Sequence, residues 1–412
     1  MKVFVFLIIL IVSIIQSSKS ESEECEWEIC CCEWITDCDD NGENTTTVSL
    51  TDDEKKEAIR KISSSIGDLT TDLLLTRKER SMAEFIASPL SAAMVLMMAA
   101  YGASDENAKR MNSMLHFDTN DNTYKTGIYS LIKMIDALNP SELELANKIY
   151  AGKNQDINPD FKSLVSETFE LSIENVDFGL SESTAKKIDK WRAEKSRRRI
   201  TNVIKPDEIS ADTEFLFTNS LHFSALWKEP FSEANTKLMK FNVSDGNTIE
   251  KPIMYRDNLV ANIIHEGYKI YELELQKRDS NDYKYQVFIY IPFYINHDKF
   301  NNSVAVPKFR IERTIHLEDM LNQFETNFSG ISKQSSGLRM NKVVQKLTLE
   351  INELGIEAAV YSEASFTSKT GYSAPPLKQD IPYNEYQIVI IITYADTMLL
   401  SAYSAGLNFL TV

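Results

Sequence analysis

Cysteine is missing from almost the whole chain. Five occur in 412 residues, and all of them lie between Cys25 and Cys38. The body beyond them can form no internal disulfide, so it must rest on a packed core. Proline (11) and glycine (13) are scarce, which excludes collagen-like and linker-dominated organisation. Positive charge is absent from Glu21 to Glu54, where thirteen Asp or Glu occur without one Lys or Arg. Lys2 and Lys19 precede that block, so the formal net charge of −16 leaves −5 for everything after it. No nucleic-acid partner is expected of so acidic a chain, because phosphate contacts need clustered Lys and Arg.

Enzyme signatures are absent as well. There is no G-x-S-x-G elbow, P-loop, dinucleotide glycine pattern or H-E-x-x-H. His265-Glu266 lacks a second histidine, and His116, His222, His297 and His316 are isolated in sequence. No catalytic activity, cofactor or metal is expected. Only one apolar run suggests a membrane, Val3 to Ile15, and it is shorter than the about 20 residues a bilayer span needs. Small and polar residues follow it. Residues 1–20 therefore read as a secretory signal cleaved near Ser20, leaving an extracellular protein without a membrane span.

What is present divides the chain. Residues 21–54 form an acidic, Cys-rich extension, expected to be disordered or locally disulfide-bonded through Cys25, Cys30, Cys31, Cys32 and Cys38. Their spacing does not match a paired zinc pattern. An odd count leaves one thiol, so a disulfide-linked dimer is a candidate assembly. Asn44, Asn242, Asn301 and Asn327 satisfy the glycosylation rule for secreted proteins.

With 43% hydrophobic and 25% charged residues, the chain can fill a core. Ile59, Ile62, Ile66, Leu69 and Leu73 give an amphipathic helix over about Asp53 to Leu75. Ser88-Pro89-Leu90-Ser91 offers a cap and a helix-starting proline. The stretch Ala92 to Ala103 is apolar on nearly all sides and belongs inside a large core. The segment around Lys186 to Trp191 reads as helical. Strand patterns follow at Glu214 to His222, Tyr283 to Tyr294, Gln387 to Tyr394 and Met398 to Gly406. Helices early and strands late give an α+β class.

Several segments together carry a family resemblance. They are Phe85-Ile86-Ala87-Ser88-Pro89-Leu90-Ser91 with Tyr101-Gly102-Ala103; Thr218-Asn219-Ser220-Leu221-His222-Phe223 with Trp227-Lys228-Glu229-Pro230-Phe231; Val306-Pro307-Lys308-Phe309; and Lys342-Val343-Val344-Gln345-Lys346 leading to Glu353-Leu354-Gly355-Ile356-Glu357-Ala358-Ala359. In this order they resemble the serpin family. The resemblance implies one domain over residues 55–412, with three β-sheets, about nine helices and an exposed reactive loop at about 353–378. It implies a suicide-substrate inhibitor. A serine protease cuts the loop and is trapped as an acyl-enzyme while the cut loop enters the central sheet.

The alternation of the loop can be tested on its residues. A strand presents successive side chains to opposite faces. One face would carry Ile356, Ala358, Val360, Ser362, Ala364, Phe366 and Ser368, with no charge. The other, Glu357, Ala359, Tyr361, Glu363, Ser365, Thr367 and Lys369, suits an outer surface. By the family's count from hinge Gly355, the scissile bond joins Lys369 to Thr370. A lysine there fits a trypsin-like pocket, whose base is a carboxylate. Glu353 and Lys308 match the family's ion pair at the loop base, Trp227 the aromatic near the sheet's upper opening, and Ser88, Ser91, Asn219 and Gln345 the polar group beneath it. Gln345 stands where the family has histidine. Ile356, Val360 and Tyr361 are bulkier than the family's usual hinge residues, which keeps a non-inhibitory carrier, storage or scaffold role as an alternative. The stripe Lys186, Lys187, Lys190, Arg192, Lys195, Arg197, Arg198 and Arg199 is either a solvated helix face or a site for a heparin-like polyanion.

Overall fold

The computed structural model describes residues 51–79, 84–196, 198, 206–242, 248–257, 263–265, 268–276, 284–292, 303–317, 328–333, 337–368 and 387–405. The signal, the five cysteines, Asn44, Asn301, Asn327, Lys369 and Thr370 lie outside them.

Helix α1 runs from Asp52 to Glu79, slightly beyond the expected span. Thr51 and Glu54 form a reciprocal cap: the Thr51 N–H donates to the Glu54 carboxylate at 2.8 Å, and the Glu54 N–H to the Thr51 hydroxyl at 3.3 Å. The last three residues of the acidic block thus open a helix rather than belong to a tail, because carboxylates suit a helix N-terminus. Ile59, Ile62, Ile66, Leu69 and Leu73 are buried, as their spacing requires.

A short strand β1 (Glu84–Ala87) leads into α2 (Pro89–Tyr101). Ser88 caps α2 by accepting from the Ser91 N–H, and Pro89 occupies its first turn. Every residue from Pro89 to Ala100 is buried, since α2 lies against strands of two different sheets. Helices α3 (Asp105–Leu115), α4 (Asn122–Asp136), α5 (Pro159–Phe169) and α6 (Ser181–Lys195) follow. The described residues hold six α-helices against the about nine implied by the resemblance.

Three sheets make up the rest. The strands are β2 (Leu143–Gly152), β3 (Ser172–Val176), β4 (Phe215–Leu226), β5 (Thr236–Asn242), β6 (Thr248–Asp257), β7 (Ile263–His265), β8 (Tyr268–Glu274), β9 (Tyr285–Pro292), β10 (Ser303–Pro307), β11 (Phe309–His316), β12 (Arg339–Ile351), β13 (Gly355–Thr367), β14 (Gln387–Tyr394) and β15 (Thr397–Ala405). A six-stranded sheet has the order β11-β12-β13-β4-β2-β3. A second has β1-β15-β14-β9-β8-β7, and a three-stranded sheet has β10-β6-β5. Helix α2 packs on β4, β13 and β15, so it joins the two large sheets into one core.

The segment expected to begin the exposed loop is instead a central strand. β13 pairs antiparallel with β12 from Ile356 to Thr367 and with β4 from Gly355 to Phe366. The cause lies in its alternation, which puts apolar side chains on the core side and satisfies both rows of backbone groups.

Candidate functional site

β13 enters the sheet through a tight turn. The Asn352 side-chain oxygen accepts from the Leu354 and Gly355 N–H groups at 2.9 and 3.1 Å. The Asn352 N–H in turn donates to the Gly355 carbonyl at 3.0 Å. Gly355 is required by close approach: a Cβ there would overlap the Ala225 carbonyl of β4. The hinge glycine is therefore explained by the strand beside it.

The loop base is locked from three sides. Glu353 is buried and pairs with Lys308 at 2.8 Å, while the Thr236 hydroxyl donates to its other oxygen at 2.8 Å. Burial pushes the Glu353 carboxyl pKa up, but the bonds from Lys308, Thr236 and its own backbone N–H outweigh burial and leave it lowered. The Trp227 indole is fully buried and donates to the Asn352 carbonyl at 2.9 Å. The Trp227 and Phe231 N–H groups reach the carbonyls of Leu354 and Glu353, each at 2.9 Å.

On the core face of β13, Ile356, Ala358, Val360, Ala364 and Phe366 join the main core. Phe366 packs against Phe217 and Phe328 at ring distances of 4.6 and 5.2 Å. Ser362 is the polar exception, and it meets the four residues singled out beneath the sheet. Its hydroxyl lies 2.8 Å from Ser91 Oγ and accepts from Gln345 Nε2 at 2.8 Å. Gln345 also donates to the Ser88 carbonyl at 3.0 Å and accepts from the Ser88 N–H at 2.6 Å. Ser88 Oγ donates to the Leu399 carbonyl at 2.6 Å, and Ser91 Oγ to Asn219 Oδ1. Asn219 Nδ2 reaches Asn147 Oδ1 at 2.9 Å. The primary amide of Gln345 supplies both donor and acceptor, so the network closes without an ionisable group. Ser362 and Asn147 were not among the residues singled out. Ser362 carries a signal, as the one hydroxyl on the core face between Ile356 and Phe366. Asn147 carries none.

The opposite face departs from expectation. Ala359, Tyr361, Glu363 and Thr367 are buried, not set on an outer surface. Helix α6 covers that face: Ala185 and Ile188 close over Tyr150, Leu216, Ala359 and Tyr361 as a second small core. Arg192 is fully buried too, with its guanidinium 4.7 Å from the Tyr361 ring centroid. Burial pushes the Tyr361 hydroxyl well above its usual range, and the Glu363 carboxylate adds to this. Glu363 pairs with Lys342 at 3.0 Å, so this buried carboxylate is not left alone. Glu357 lies at the entry end, half-buried.

The basic stripe is largely neutralised where it is described. Lys186 faces Glu182 at 3.6 Å, Lys187 faces Glu174 at 2.7 Å, Lys195 faces Glu144 at 3.0 Å, and Arg192 pairs with Asp189. Arg192 is not on the helix surface at all. Lys190 and Arg198 are exposed, and the side chains of Arg197 and Arg199 lie outside the described residues. Asn242 ends β5 opposite Thr248, but its side chain is not among those described.

Comparison with known proteins gives one consistent result. A family model described as Serpin (serine protease inhibitor) matches residues 64–384. Alaserpin of Manduca sexta is 25% identical over 320 residues, covering 70% of this chain and 79% of that one. Antitrypsin of Bombyx mori is 26% identical over 298 residues, covering 62% and 72% respectively. Among solved structures, cleaved Serpin 42Da superposes with a TM-score of 0.68 at 18% identity, covering 87% of this chain and all of that one. A loop-inserted, cleaved ovalbumin mutant does so with 0.67 at 18% identity, covering 85% of this chain and 99% of its own.

Proposed function

Because this chain belongs to the serpin (serine protease inhibitor) family, we propose that it is a secreted suicide-substrate inhibitor of trypsin-like serine proteases, cleaved between Lys369 and Thr370. The protease serine attacks the Lys369 carbonyl carbon, the bond to the Thr370 nitrogen breaks, and that amine leaves with the proton. Lys369 remains esterified to the protease. In this cycle the strand waits outside the sheet in the active form and, once freed, takes the central position it holds in the inserted arrangement described above, faster than water hydrolyses the ester. The reaction uses the protease's own catalytic groups, so this chain contributes bait and spring rather than catalysis. Residues 1–20 direct it outside the cell, where such proteases act.

One observation carries this reading: the central sheet accepts Gly355–Thr367 as a full strand without one charge on the core side. The bulk of Ile356, Val360 and Tyr361 does not favour the non-inhibitory alternative, because all three are at most 3% exposed within that strand. An unpaired charge facing the core would have stopped insertion.

The test is incubation with trypsin followed by denaturing gels. Wild-type protein should give a stable covalent band. Lys369→Glu should lose that band and resist cutting at this bond, because a carboxylate cannot enter a pocket built on one. Unchanged inhibition by Lys369→Glu would show that the scissile bond lies elsewhere.

A further inference from the structure

Resting on the insertion reading, one feature of the strand still lacks a purpose: an aromatic residue at Tyr361, where small residues are usual in inhibitory serpins. Tyr361 lies opposite Ser220 of β4 and Lys346 of β12, on the face covered by α6. The surface it meets is not a plain apolar lid. Arg192 projects from α6 onto the Tyr361 ring, and both side chains are fully buried.

A buried guanidinium is costly unless its charge is answered. Among the described residues Arg192 has one ion-paired carboxylate, Asp189, one turn back on its own helix, with the charge of Glu208 further off. Its Nε and Nη1 atoms have no hydrogen-bond partner among the described residues. The remaining charge is set against the negative face of the Tyr361 ring, in the geometry of a cation–π contact. Glu363, further along β13, adds its charge nearby and is held by Lys342. Asp189, Glu208 and Tyr150 are not on β13 and are present whether or not it is in the sheet. Tyr361 and Glu363 arrive only with the strand.

We propose that Arg192 is a positioning residue for insertion, a seat under α6 that receives Tyr361 and holds the strand once it has passed the hinge. The bulk that would slow entry is thereby matched by a contact available only in the inserted state. Insertion then completes ahead of ester hydrolysis despite a hinge richer in large residues.

The experiment uses the full-length protein as wild type, Tyr361→Phe, Tyr361→Leu, Arg192→Met and the Arg192→Met/Tyr361→Leu double variant. Thermal unfolding is measured on the intact and the loop-cleaved forms, together with the moles of inhibitor consumed per mole of trypsin trapped. Tyr361→Phe keeps the ring and should match wild type. Tyr361→Leu and Arg192→Met should each lower the Tm of the cleaved form by roughly 2 °C. The double variant should fall no further than either single one, and the intact form should show no such coupling. Inhibitor consumption should rise by up to about five-fold in the single variants. Additive losses, or the same coupling in the intact form, would overturn the proposal. Should Arg192→Met fail to fold, the Tyr361 pair decides alone: equal behaviour of the Phe and Leu variants overturns it. A wild-type cleaved form no more stable than the intact one would instead defeat the insertion reading itself.

Discussion

Glu353 shows how a single side chain changes meaning between sequence and structure. In the sequence it is one of many acids before a glycine. In the fold it is buried, with Lys308 and Thr236 on its oxygens. Its pKa is lowered below that of the free side chain. The sign follows from this. The unfolded chain takes up a proton at this site before the folded one, so the site's contribution is full above the unfolded value, near 4.5, and fades as pH falls through the lowered folded value. Glu353→Gln should therefore cost about 1–3 kcal/mol at neutral pH. The gap between variant and wild type should close in acid. Thermal unfolding of both proteins from pH 7 down to about 3 checks it. A gap that stays constant across that range would mean the carboxylate charge is not what matters. The family motif picks out residues of this kind from sequence: Ser88, Ser91, Asn219 and Gln345 share one hydrogen-bonded network, while Trp227 and Lys308 bond to Asn352 and Glu353 at the loop base. Arg192 departs from the expected surface stripe: it is buried, and a basic residue among basic residues gives no sign of burial in sequence.

At the scale of elements, the hinge strand is sensitive at its entry. Ile356 is 3% exposed on the core face, opposite Ile351 of β12 and Ala225 of β4. An arginine there would carry a buried charge with no partner, at a cost of several kcal/mol. Ile356→Arg should leave the loop cleavable but turn the inhibitor into a substrate. Denaturing gels after trypsin treatment should show clean fragments without a covalent band. A wild-type yield of complex would mean that entry at the hinge is not the sensitive step. The alternation that supports this prediction could be read directly, since period two is a local property of the chain. The burial of the opposite face could not. It depends on α6, far away in sequence, whose own pattern mixes Ala185 and Ile188 with a dense run of charge. The two helices with simpler patterns, α1 and α2, could be read to within a few residues of their ends, α1 from the spacing of Ile59 to Leu73 and α2 from Ser88-Pro89 and its apolar run.

For the whole molecule, the question is how much free energy the inserted strand adds. Twelve residues of β13 pair with a partner on β12 and twelve with one on β4. At about 1 kcal/mol net per hydrogen bond, backbone pairing alone is comparable with the ~5–15 kcal/mol that holds an ordinary domain together. Ile356, Val360 and Phe366 each add roughly 1.5–3 kcal/mol of burial. No disulfide can share this task, because the body after Cys38 contains no cysteine. If the strand stays outside the sheet until a protease cuts the loop, cutting must release this amount as added stability. The cleaved protein should therefore unfold about 20 °C or more above the intact one, although its chain is broken in two. Reductant should not narrow the difference. Calorimetry of both forms, with and without reductant, measures it directly. Equal unfolding temperatures would mean that the intact chain already has β13 in the sheet, with nothing left to drive a trap.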